Sequence, residues 1–70
     1  MKIVCRDNKG LYRMGDTITN ITYISEGNGN DYFLHAGGLA VCKGSQSELE
    51  KIFNDIVAAE KRGDKVYEIK

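Results

Sequence analysis

The run from Ser45 to Gly63, SQSELEKIFNDIVAAEKRG, constrains the chain most, because it reads as one amphipathic helix whose apolar stripe other segments must cover. Leu49, Ile52, Phe53, Ile56 and Val57 fall at i, i+3, i+4, i+7 and i+8, one face of a 3.6-residue repeat. Ala59 and the stem of Glu60 extend that face, while Glu48, Glu50, Lys51, Asn54, Asp55, Lys61 and Arg62 take the other sides. Ser45 with Glu48, and Ser47 with Glu50, each fit S-x-x-E, in which the hydroxyl accepts from an early backbone N–H. Acids gather at the start and Lys61 and Arg62 at the end, as the helix dipole prefers, and Gly63 stands where a left-handed residue closes a helix. The helix is expected over about residues 46–62, with Ser47 as its cap. Phe53→Ala is expected to cost about 3–5 kcal/mol.

The other segments read as short strands. MKIVCR at the start alternates Met1, Ile3 and Cys5 against Lys2, Val4 and Arg6. Asp7 to Gly10 reads as a turn, Leu11 to Met14 as a strand, and Gly15-Asp16 as its break. Thr17 to Ser25 is dense in β-branched residues and has large apolar groups on both parities, which predicts few water-facing positions or a bulge. Glu26 to Asp31 is a Gly/Asn hairpin loop, Tyr32 to Ala36 a strand, Gly37-Gly38 a tight turn, Leu39 to Cys42 a strand, and Val66 to Ile69 a last short strand. The order β-β-β-β-β-α-β predicts an α+β fold. We expect a small antiparallel sheet of four to six strands, open or rolled like a barrel, with the helix packed across it and residues 1–70 forming a single domain.

Seventy residues bury a limited core, so stability is marginal. The chain carries ten basic and ten acidic side chains, which removes the simplest argument for a nucleic-acid partner. No apolar run approaches the roughly 18 residues of a membrane span, so no membrane role is expected. Charge follows the N-terminus after five residues with no secretory signature, and Cys5 and Cys42 lack C-x-x-C spacing, which points to a cytoplasmic protein with unpaired thiols.

No catalytic or cofactor signature stands out. His35, the single histidine, has no partner marked by spacing and reads as structural or solvent-facing, and no motif pairs Cys5 or Cys42 with it as a nucleophile. GNGN at 27–30 leads into a strand rather than a helix, so it reads as a hairpin loop and not a phosphate cradle. Gly44-Ser45 does precede a helix, but no Lys follows at P-loop spacing. Asn20-Ile21-Thr22 matches a glycosylation tripeptide inside a strand and is set aside. We therefore expect no cofactor, no metal and no enzymatic activity.

Two stretches carry a resemblance. The opening Met1-Lys2-Ile3 with Asp7 matches a group of proteins beginning with M-K-I-x-S-Q-D-like strands. Ser47-Glu48, Ile52-Phe53, Ile56, Gly63 and Val66-Tyr67-Glu68-Ile69 match that group's cap, helix, glycine turn and V-Y-E-[MI] ending. In these two runs, about half of its length, the chain resembles small, functionally uncharacterised proteins of Gram-positive bacteria and their phages. Gly44 stands where the group has an aromatic residue. The resemblance implies a bacterial or phage-borne protein and supplies no catalytic residue.

One physical inference bears on function. Many strand positions are apolar and one helix covers them, so either a sheet face or edge is a contact surface, or the sheet rolls up and buries both parities itself. The contact reading makes this a small interaction protein, binding a protein partner or itself as a homodimer, with Tyr12, Arg13, Tyr23, Tyr32, Phe33 and His35 as the candidate surface. A nucleic-acid-binding sheet is the alternative, and it requires Arg13, Lys43 and Lys65 to gather on the tyrosine face.

Overall fold

The period-two alternation of the opening residues is realised as β1, Lys2–Arg6, with Ile3 and Cys5 buried and Lys2 and Arg6 exposed. A computed structural model describes residues 1–6, 12–17 and 22–69. After β1 come β2 (Tyr12–Asp16), β3 (Tyr23–Glu26), β4 (Tyr32–Ala36), β5 (Leu39–Gly44), α1 (Gln46–Arg62) and β6 (Val66–Ile69). The architecture is the expected α+β, with a finer division: the strands form two three-stranded sheets, β2-β1-β6 (sheet A) and β3-β4-β5 (sheet B). β6 lies parallel to β1 in register Lys2↔Val66 to Cys5↔Ile69, whereas the other pairings are antiparallel.

The inner faces of the two sheets supply one core. Ile3, Cys5 and Ile69 come from sheet A, Leu34, Ala36 and Val41 from sheet B, and Leu49 and Ile56 from α1. The sheets approach each other where β2 and β1 meet β5, and the helix rests on β3, β4, β5 and β6. The radius of gyration is 11.2 Å, against about 11 Å for a compact chain of this length.

Gly15-Asp16 does not break β2; both lie inside it, opposite Ile3 and Lys2. Gly15 is required there because the backbone of β2 passes directly over Ala36 and Val41, leaving no room for a side chain. The strand expected over Thr17 to Ser25 is described as β3 from Tyr23; residues 18–21 lie outside the described ones, as do the 7–10 turn and Leu11. A bulge occurs in β5, where the register steps from Leu34↔Cys42 to His35↔Ala40 and leaves Val41 as the extra residue. That extra residue is buried in the core.

The helix spans the expected residues, Gln46–Arg62, and only its cap differs. Ser45, not Ser47, is the cap: its hydroxyl accepts from Glu48 N–H at 3.3 Å and donates to Glu48 Oε1 at 2.8 Å. Gly63 closes the helix at φ 82°, with Gly63 N–H donating to Glu60 O and Asp64 N–H to Ala59 O, the double bond of a Schellman close. Within the helix the buried line runs through Leu49, Ile56 and Ala59, with Ile52 and Phe53 half-buried and Val57 exposed. The largest loss on truncation therefore moves from Phe53 to Leu49 and Ile56. Ser45→Ala is expected to lower unfolding free energy by about 0.5–2 kcal/mol, while Ser47→Ala stays within about 0.5 kcal/mol of wild type. Urea titrations of the two variants check this.

Candidate interaction surfaces

Strand register decides which residues share a face. On sheet B the pairs Tyr23↔His35 and Ser25↔Phe33, with Lys43 opposite Phe33 and Ala40 opposite His35, all have the parity that faces away from Leu34 and Ala36. Tyr23 and His35 stack with ring centroids 4.5 Å apart and planes 7° from parallel. Ser25 Oγ lies 2.7 Å from His35 Nε2. The Phe33 ring sits over Gly27, where a Cβ would fall 2.4 Å from the ring. The hairpin loop is held by Gly27 N–H to Asp31 O at 2.8 Å and turns at Gly29, φ 64°. It is a strand-to-strand connection, as its glycines and asparagines predict.

A hydroxyl within hydrogen-bond reach of an imidazole is two parts of a nucleophile–base pair. The third part, a carboxylate orienting the ring, is not hydrogen-bonded to His35 among the described residues. The stack and the hydrogen bond instead fix the His35 ring face to face with Tyr23.

The outer face of sheet A is built from three rungs. Asp16, Lys2 and Val66 form the first; Met14, Val4 and Glu68 the second; Tyr12 and Arg6 the third. Tyr12, Met14 and Val66 are 57 %, 54 % and 57 % exposed, so three of the large apolar side chains most open to water lie on this one face. The Arg6 guanidinium lies over the Tyr12 ring at 5.6 Å. Asp16 takes both the Met1 ammonium at 3.5 Å and Lys2 Nζ at 3.7 Å.

The six residues expected to form one surface are thus divided. Tyr23, Phe33 and His35 share the outer face of sheet B, Tyr12 lies on the outer face of sheet A, and Arg13 sits on β2 at the opposite parity, across from Cys5. Tyr32 faces inward and packs against the core. Arg13, Lys43 and Lys65 do not gather on one tyrosine face, since Lys43 extends from sheet B, Arg13 belongs to sheet A and Lys65 precedes β6. Sequence reasoning missed Ser25, Val4, Met14, Val66 and Glu68, because only cross-strand pairing brings them beside the aromatic residues. Neither Cys5 nor Cys42 is in a disulfide.

A shallow groove between α1 and β6 is lined by Glu48, Lys51, Ile52, Asp55, Tyr67, Glu68 and Ile69. In it Tyr67 Oη donates to Asp55 Oδ2 at 3.4 Å. Burial, and then the Asp55 carboxylate beside it, pushes the Tyr67 phenol above its ordinary 10.0. The folded state therefore holds this proton more tightly than the unfolded chain. The resulting stabilisation is complete below about pH 10 and is lost as pH rises through the raised value. Tyr67→Phe is expected to lose less thermal stability between pH 8 and pH 11 than wild type, read from unfolding midpoints at the two values.

No group of three or more His, Cys, Asp or Glu suited to a metal ion occurs among the described residues, and no described helix is long and apolar enough to cross a membrane. No family model, curated protein or solved structure matches the chain.

Proposed function

We propose that this is a small non-enzymatic interaction protein, which binds a protein partner or a second copy of itself through an outward sheet face and works in the cytoplasm of a bacterial cell. The observation that carries this reading is the outer face of sheet A, where Tyr12, Met14 and Val66 stand more than half exposed around Val4. A contiguous apolar patch rimmed by charge on a small domain is characteristic of a contact surface. The resemblance of its two ends to small proteins of Gram-positive bacteria and their phages supports a bacterial setting. The test is affinity capture of the tagged protein from a bacterial lysate at low and moderate salt, alongside its native mass over a range of concentrations. A protein held at both salts, or a dimer, supports the reading; a strict monomer with an empty eluate overturns it.

The outer face of sheet B favours a second reading. A tyrosine–histidine stack, Phe33 and Lys43 on one face can receive stacked bases. On that reading the captured material is nucleic acid and leaves as salt rises.

A further inference from the structure

Three features stand out: the Ser25–His35 pair, the groove between α1 and β6, and the three-rung face of sheet A. The first lacks an orienting carboxylate among the described residues, and the second is shallow, with no buried polar group aimed into it. The third carries a pattern of charge that selects its own partner.

Taking β2, β1 and β6 as columns, the face reads Asp16–Lys2–Val66, then Met14–Val4–Glu68, then Tyr12–Arg6. One diagonal, from Tyr12 through Val4 to Val66, is entirely uncharged. The charged side chains lie to either side of it. We propose that two copies pack face to face about a two-fold axis along this diagonal, so that Lys2 of each copy pairs with Glu68 of the other. The proposal rests on the interaction reading above and names its partner.

The choice of axis follows from charge. A two-fold along the strands places Lys2 on Lys2 and Arg6 on Arg6. One across the strands places Lys2 on Arg6. One along the other diagonal brings Glu68 onto Arg6 twice, but with Asp16 on Asp16. Only the Tyr12–Val4–Val66 diagonal sets unlike charges together twice with no like charges superposed, stacking Tyr12, Val4 and Val66 each on its own copy and Met14 on the Arg6 stem. A two-fold at this angle crosses the strands of the two sheets at about 70°, nearer the orthogonal than the aligned way in which sheets pack face to face. Glu68 has no ion pair within its own chain among the described residues, and Lys2 keeps 59 % of its side chain exposed while it reaches Asp16.

The surface is small. Three strands about 4.8 Å apart and five residues long span roughly 15 by 17 Å. The total area buried therefore falls below the ~1,200 Å² of a standard interface, which makes the dimer weak and reversible, with a Kd on the order of 10–1,000 μM.

Sedimentation velocity from 10 μM to 1 mM tests the proposal, with circular dichroism confirming that each variant is folded. Wild type shifts from monomer toward dimer across the range, and added salt weakens the shift. Lys2→Glu and Glu68→Lys each face like charge on the second copy, and each raises Kd at least about tenfold. An equimolar mixture of the two variants restores association as a one-to-one heterodimer, because every Glu then meets a Lys. Met14→Lys, an exposed site whose change spares the core, also weakens the dimer. Wild type remaining monomeric at 1 mM overturns the proposal, as does a mixture that associates no better than its parts. If a lysate protein is nevertheless held by monomeric wild type, self-association falls and the interaction reading stands.

Discussion

Leu49→Ala is expected to remove about 2–5 kcal/mol of unfolding free energy. Leu49 is fully buried one turn into α1 and belongs to the cluster that joins both sheets to the helix. Truncating it removes apolar contact and leaves a cavity between three elements, two of which are sheets fixed by their own hydrogen bonds. A domain of 70 residues has a total stability of only about 4–10 kcal/mol, so the variant is substantially unfolded at 37 °C. Urea midpoints of Leu49→Ala, Phe53→Ala and Val57→Ala should fall in the order of burial, with Leu49 lowest and Val57 closest to wild type. Equal shifts at the three positions would show that the helix is not seated by the face described.

Gly15→Ala is expected to destabilise by about 3 kcal/mol, the upper part of the range for overpacking. An alanine Cβ there would lie 2.6 Å from Ala36 O, 2.7 Å from Ala36 Cβ and 2.8 Å from Val41 Cγ1. Two of those three atoms are backbone or directly attached to it, so no rotamer change relieves the clash and the sheets must separate. Gly44→Ala is the control, because the nearest atom to its Cβ is 3.7 Å away. Ala36→Gly in the Gly15→Ala background should recover only part of the loss, since Ala36 O stays in place. Thermal midpoints of the four proteins decide the matter.

What the sequence made legible was local. The helix announced itself through its 3.6 period, its capping box and its terminal glycine, because each depends on residues at most four positions apart. The hairpin loops were legible for the same reason: Gly29, Gly37 and Gly38 all adopt positive φ, as turn chemistry requires. Gly15 misled because a glycine that serves a close approach between sheets looks identical, in one dimension, to a glycine that ends a strand. The division into two sheets, the parallel seat of β6 and the bulge at Val41 are set by long-range pairing, and no local pattern encodes them. The candidate surface suffered most, since Tyr12, Tyr32 and Tyr23 carry similar chemistry but lie respectively on one outer face, half-buried against the core and on the other outer face.

The seat of β6 beside β1 has a consequence for how the chain reaches this structure. Lys2 is paired with Val66, a separation of 66 − 2 = 64 positions, the longest reach between described strand partners. The hairpins of sheet B can zip from their own turns within microseconds, on the order of 1–10 μs each. Sheet A cannot: β1 is its middle strand, and one of its flanks is filled only after the helix has docked and reversed the chain at Gly63. During synthesis one hydrogen-bonding edge of β1 therefore stays unpaired until β6 has emerged from the ribosome. Loop-closure entropy makes this ladder the expected slow step of folding, and a chain stalled before β6 presents the ribosome and its chaperones with a half-built sheet.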